Sequence, residues 1–309
     1  MRTARMTSSD RRATCATGLS TDVVSDTQRL VRDRLKKLVS ASGLPMRWMQ
    51  FMPGKMLRTR WAARLAESGE LTVAPDTIVR ACAAIEMAHT ASLCHDDVID
   101  GGFLRRQQPT LWRVMGPTAA ILIGDLLLCE AMDVLVSAED GGLVEPFTAK
   151  LREVCAAELE QDLGSRGKVL EEAACLRLAR GKSGPFFAFV GYACGGSQPD
   201  LRAALEAAGY QVGTLYQMAD DLLDVVGGPA AGKTLGTDAK QRKFTVPQMA
   251  RKGPARARAR IRALRDAILD DVQAWPPVRA ALLQFFQQDL QPVFAQFDQR
   301  LGECMRAAV

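Results

Sequence analysis

Helical periodicity of apolar residues dominates this chain nearly everywhere, and strand-like alternation is hard to find. In the long segments Ala and Leu outnumber the β-branched residues, which leaves little room for a sheet. The pattern predicts helices over 25–41, 52–68, 75–100, 117–138, 145–164, 169–181, 184–195, 199–226, 245–251, 255–274 and 278–307. Clusters of Gly, Pro and Asp punctuate them, as in EDGG at 139–142, GGPAAG at 227–232 and WPP at 275–277. No linker is long or polar enough to divide the 309 residues, so the expectation is one all-α domain.

Two of the longest segments end alike. HDDVIDGG (95–102) carries Asp96, Asp97 and Asp100, and YQMADDLLDVVGG (216–228) carries Asp220, Asp221 and Asp224. On a helix, positions i, i+1 and i+4 fall within an arc of about 100°, so each motif points three carboxylates one way. Each also sits in the last turn before capping glycines. There the macrodipole disfavours a carboxylate by roughly 0.3 kcal/mol or more, before mutual repulsion is counted. One such cluster reads as an acidic surface; two that match ask for a shared cation. All-oxygen carboxylate sets suit Mg2+, which keeps waters and is commonly shared with substrate phosphates.

Basic residues complete the arrangement. Arg105 and Arg106 follow the first motif, Lys55 and Arg58 lie in PGKMLRTR, Lys182 in RGKSG, and Lys233 and Lys243 in GKTLGTDAKQRKFTVP. Any one of these alone would be a solvated charge. Several stand beside glycines, which let backbone approach an anion closely. Arginine offers a bidentate fork for phosphate oxygens, and lysine a mobile point charge. Carboxylates that need metal, with separate cationic groups, suggest two anions side by side: one held through Mg2+ and one held directly.

Composition removes other classes. With only two histidines, His89 and His95, a His-rich metal site is excluded. The eight cysteines form no CxxC pair, which suits free thiols in a reducing cytosol. The best apolar run, TAAILIGDLLL, is broken by Asp125, so no transmembrane segment is expected. Net charge is only +5. Its basic tract RKGPARARARIRALR (251–265) has no interleaved aromatics, so it reads as a solvated helix face and not as a nucleic-acid surface. Residues 1–22 (MRTARMTSSDRRATCATGLSTD) read as a disordered extension ahead of a domain spanning 23–309; a transit peptide, or a true start at Met6, would also fit them.

From about residue 25 to about 250 the sequence resembles the trans-isoprenyl diphosphate synthases, the polyprenyl synthetase family. GKMLR, HTASLCHDDVIDGGFLRRQQPT, GDLLL, GKSG, YQMADDLLD and GKTLGTDAKQRKFTVP follow in the family's order. The resemblance implies an isoprenoid synthase fold, a bundle of long helices around a central cavity, in a cytoplasmic homodimer. It implies that Asp96, Asp97, Asp100, Asp220, Asp221 and Asp224 hold Mg2+, about three ions per site with Mn2+ able to substitute. Arg105, Lys182, Gln217, Lys233 and Lys243 would meet an allylic diphosphate, with Lys182 and Lys233 counted among the catalytic groups. Lys55, Arg58, His89 and Arg106 would hold isopentenyl diphosphate. The implied reaction is ionisation of the allylic diphosphate, attack by the isopentenyl double bond, and loss of a proton to the departing pyrophosphate.

In that family the product grows back along the helix of the first motif, and bulky residues four or five positions before its first Asp act as a floor. Here those positions are the small Ser92 and Ala91, which argues for C20 or longer, with C30–C40 favoured and a geranylgeranyl (C20) synthase second. A floor could instead come from Met87, or from Glu130 and Met132. Two departures stand out: Pro53 and Thr59 replace the family's usual Gly and Pro, and Arg242 replaces a glycine before Lys243. An ionising terpene cyclase usually carries one aspartate motif with an Asn/Ser/Glu-type second metal motif, and a regulatory subunit would be expected to lose a motif. Both motifs are intact here.

Overall fold

The computed structural model describes residues 19–42, 54–137, 142–226, 236–248, 253–296 and 298–306. Helix α1 (Leu19–Ser42) begins inside the segment read as an extension; residues 1–18 lie outside the described residues. The chain continues through α2 (Leu57–Glu67) and the long α3 (Pro75–Ile99) to a small hairpin, β1 (Leu104–Arg105) with β2 (Gln108–Pro109). Short α4 (Leu111–Met115), α5 (Pro117–Val136) and α6 (Val144–Leu159) follow, the last running into a wider π-helical turn at Glu160–Ser165. Then come α7 (Glu172–Gly195), α8 (Pro199–Val226), the single turn α9 (Thr237–Lys240) and α10 (Gly253–Asp271). The architecture is the expected all-α bundle. Among the described residues no helix is long and apolar enough to cross a membrane.

The core is aromatic at its centre. Trp61 and Phe187 meet at 5.9 Å between ring centroids and Phe147 and Phe189 at 5.2 Å, all four fully buried. Each such side chain contributes about 1.5–3 kcal/mol by leaving water. Cys82, Cys94, Cys175 and Cys194 are buried free thiols within helices, acting as small hydrophobes.

Three elements differ from expectation. The break expected at 182–183 is absent, and α7 runs unbroken through Pro185. Its glycines serve close helix packing instead. A methyl placed on Gly209 of α8 would lie 2.6 Å from Ala188 Cα, and one on Gly213 would run into the Gly184 backbone. That close approach brings Lys182 and Gln217 to one wall. The expected C-terminal helix over 278–307 is broken into α11 (Pro276–Gln284), a π-helical stretch (Phe285–Leu290), α12 (Gln291–Ala295) and α13 (Gln299–Glu303). Pro292 cannot donate to the preceding turn, and the ladder widens just before it. The 245–251 helix reduces to one 3-10 turn, Val246–Gln248, with 249–252 outside the described residues. The hairpin is too short for any periodicity to announce.

Candidate active site

A cavity of about 500 Å³ opens where α3 and α8 end. Asp96, Asp97 and Asp100 line it from one side, and Asp220, Asp221 and Asp224 from the other. Arg105 feels the charge of both Asp96 and Asp220, so both motifs lie near its guanidinium. The six aspartates are not equivalent. Asp97 is 7% exposed and accepts a bidentate pair from Arg105, Nη2 at 2.8 Å and Nε at 3.0 Å. Asp224 is buried and accepts from the Asp238 backbone N–H at 3.2 Å. Asp97 and Asp224 therefore brace the walls.

The lysines already act as counter-charges. Lys243 Nζ donates to Asp100 Oδ1 at 2.8 Å and lies 3.3 Å from Asp162 Oδ1. Lys182 Nζ donates to Gln161 Oε1 at 2.8 Å and pairs with Glu158 at 3.2 Å. Burial works against the Lys182 charge, yet Glu158, Asp96 and Asp221 hold its pKa above the ordinary lysine range. Gln217 donates to Asp221 Oδ1 at 2.9 Å and accepts from Ser183 at 2.6 Å, which fixes its amide. Lys233 lies outside the described residues.

The remaining expected residues form a second, cationic half. Lys55, Arg58, His89 and Arg106 all line the same cavity. The hairpin separates the adjacent arginines: Arg106 and Gln107 turn its corner at φ 53° and 62°, strained conformations for non-glycine residues. Gly54 lets the Arg106 guanidinium settle on its backbone, where a methyl would meet Nε at 2.7 Å. The His89 pKa falls well below the usual histidine value, first through burial and then through Arg58, Arg105 and Arg106, so the ring is a neutral hydrogen-bonding group.

Of the residues tied to a cavity floor, only Ser92 lines the space, joined by Leu93 and Val154. Ala91 and Met87 are fully buried behind that wall. Glu130 instead approaches Arg34 at 3.4 Å, and Met132 packs against the core. Sequence reasoning missed Glu86, Glu158 and Asp238, which also line the cavity. Asp238 stood within the quoted GTDAKQRK loop, but Glu86 and Glu158 sit in helical runs where an acid ordinarily faces water.

The donor set fits a divalent cation. Burial and then Glu158 push Asp96 up to about 7, burial and then Asp238 push Asp221 up to about 7, and burial and then Asp224 push Asp238 up to about 6. These carboxylates crowd one another, with Lys182, Lys243 and Arg105 as partial compensation, and a hard cation would complete it. Among the described residues no three acidic, His or Cys side chains converge enough to enclose an ion alone. That suits a cation completed by waters and by oxygens of a bound anion.

A stability consequence follows. An unfolded Asp ionises near 4, well below these folded values, so stability present at low pH is lost as pH rises through about 7. An Asp96→Asn, Asp221→Asn double variant should therefore melt about 2 °C or more above the parent at pH 8 in chelator. The gap should close toward pH 5. Equal melting at pH 8 would show that the carboxylates are not under electrostatic strain.

Residues 44–272 match the family Polyprenyl synthetase. The chain is 31% identical over 254 residues to a (2E,6E)-farnesyl diphosphate synthase of Mycobacterium bovis, covering 77% of this chain and 70% of that one. It is 30% identical over 173 residues to an octaprenyl diphosphate synthase of Escherichia coli, covering 55% and 54%. A polyprenyl synthase from Caulobacter crescentus, solved with calcium and isoprenyl diphosphate, shares the fold at TM-score 0.66 and 24% identity, covering 98% and 96%.

Proposed function

Because the chain belongs to the polyprenyl synthetase family, we propose that its cavity condenses isopentenyl diphosphate head-to-tail onto an allylic diphosphate. Prenyltransferase activity comes with the family. The observation that carries it is the division of one cavity into a carboxylate half and a guanidinium-rich half. Two diphosphates fit that division, one through a cation and one directly.

Asp96, Asp100, Asp220 and Asp221 would hold Mg2+, which when bound supplies the neutralisation that the allylic diphosphate needs as it departs. Lys182 and Lys243 present fixed positive charge to that same diphosphate. Arg105, locked by Asp97, adds a guanidinium that cannot swing away. Lys55, Arg58, Arg106 and neutral His89 orient the second diphosphate, which places the isopentenyl double bond against the allylic carbon. Leu93, Val154 and Phe186 line the apolar side and keep water from the allylic cation. The departing pyrophosphate takes the proton. Release of pyrophosphate should need both substrates together. Release from the allylic substrate alone would instead mark an ionising cyclase.

The named relatives make farnesyl and octaprenyl products, so they leave length open. A small Ser92 on the cavity wall favours C20 or longer, with C30–C40 first. The catalytic unit takes in residues 23–309. A homodimer is also proposed: α5 exposes Ile121, Leu122, Leu126 and Val136, an apolar set that a second copy would cover. Sedimentation should give twice the chain mass, and a monomer at micromolar concentration would contradict this.

A further inference from the structure

Arg58 is a buried guanidinium with an unused donor at Nε. It is 5% exposed, lies 5.3 Å from the Phe186 ring centroid and 5.1 Å from that of Phe187, and its Nε has no hydrogen-bond partner among the described residues. Leaving a buried charged donor unpaired costs more than an ordinary lost hydrogen bond, which implies an anion that arrives from the cavity. The question is what keeps the guanidinium charged and uncommitted until then.

The one carboxylate next to it is Glu86, on α3, itself 2% exposed. Glu86 does not hydrogen-bond Arg58. Its Oε1 instead accepts twice from Thr59, from Oγ1 at 2.9 Å and from the backbone N–H at 3.3 Å. Thr59 is the third residue of α2, whose cap residue Met56 offers no side-chain hydrogen bond. Glu86 thus caps α2 from a neighbouring helix, satisfying an N–H that would otherwise be orphaned and placing its charge at the positive end of the dipole.

We infer that Glu86, clamped by Thr59, is a positioning residue that supplies Arg58 with a counter-charge through space while leaving the Arg58 Nε donor free for the second diphosphate. The inference rests on the two-diphosphate reading above and adds to it a group in contact with neither substrate. A direct Glu86–Arg58 hydrogen bond would do the opposite, spending the donors that the anion needs. Burial raises the Glu86 carboxyl and lowers the Arg58 guanidinium, and the charge of each opposes the shift in the other.

Glu86→Gln separates charge from capping, because the amide oxygen still accepts from Thr59. With the allylic substrate saturating, this variant should raise the KM for isopentenyl diphosphate at least tenfold. The kcat should stay within threefold and the allylic KM should be unchanged. Thr59→Val should raise the same KM about threefold and Thr59→Ser should restore it. Unchanged KM in Glu86→Gln would overturn the inference. So would a fall in melting temperature with both KM values rising together, which marks a merely structural role. A turnover-independent arm is titration of chelated protein with inorganic pyrophosphate: Glu86→Gln should bind at least tenfold more weakly than the parent, and equal binding would overturn the inference. If the parent binds pyrophosphate in this Glu86-dependent way yet never consumes isopentenyl diphosphate, the functional reading fails while the positioning role stands.

Discussion

Asp96→Ala and Asp220→Ala should each lower kcat by about a thousandfold or more while leaving the far-UV helical signal intact. The size follows from their role. Removing a single preorganised hydrogen-bond donor from a developing anion costs about a hundred- to a thousandfold, and each of these carboxylates would help to hold a divalent ion. The fold survives because Asp96 lines the cavity under strain, pushed up to about 7 by burial and Glu158, so its loss relieves the walls. Asp97→Ala should behave differently, since Asp97 acts by holding Arg105 at 2.8 Å; its effect should be smaller and matched by Arg105→Ala. Near-parental rates for Asp96→Ala or Asp220→Ala with Mg2+ present would remove the metal assignment.

Ser92→Phe should shorten the product by at least one C5 unit. Ser92 sits on the cavity wall and donates to His89 O at 2.9 Å, one turn before the first aspartate motif. A phenyl ring there has no vacant core to enter, because Ala91 and Met87 behind it are fully packed. It must project into the space that a growing chain would fill. Val154→Ala, on the facing wall, should act the other way. Mass spectra with one unchanged product from both variants would place the length-setting floor elsewhere.

Much of this was legible in the chain itself. The 28-residue α8 matches its expected bounds of 199–226 at both ends, because a long amphipathic run with a clear stop carries its own limits. The cavity could be anticipated because two aspartate triplets in the last turns of two helices are hard to tolerate separately. Legibility ended where meaning depends on a neighbour. Gly181, Gly184 and Pro185 look like a break, yet α7 runs through them, with Gly181 set close against Ala157 of α6 and Gly184 against Tyr210 of α8. Glu86 looks like one acid in an apolar helix, and only packing shows it capping α2 beside Arg58. Burial of Ala91 and Met87 was equally invisible, since position on a helix face does not say whether the next layer is cavity or core. Pro53, in the departure from the family's early loop, lies outside the described residues.

The most direct test is incubation of the purified protein with Mg2+ and isopentenyl diphosphate, supplied in parallel with C5, C10, C15 and C20 allylic diphosphates. Products would be read by mass spectrometry after dephosphorylation. The account predicts linear prenyl alcohols in five-carbon steps ending at a single length of C20 or more, and none when Mg2+ is chelated. A cyclic hydrocarbon formed from a primer alone, or no product from any primer, would contradict it.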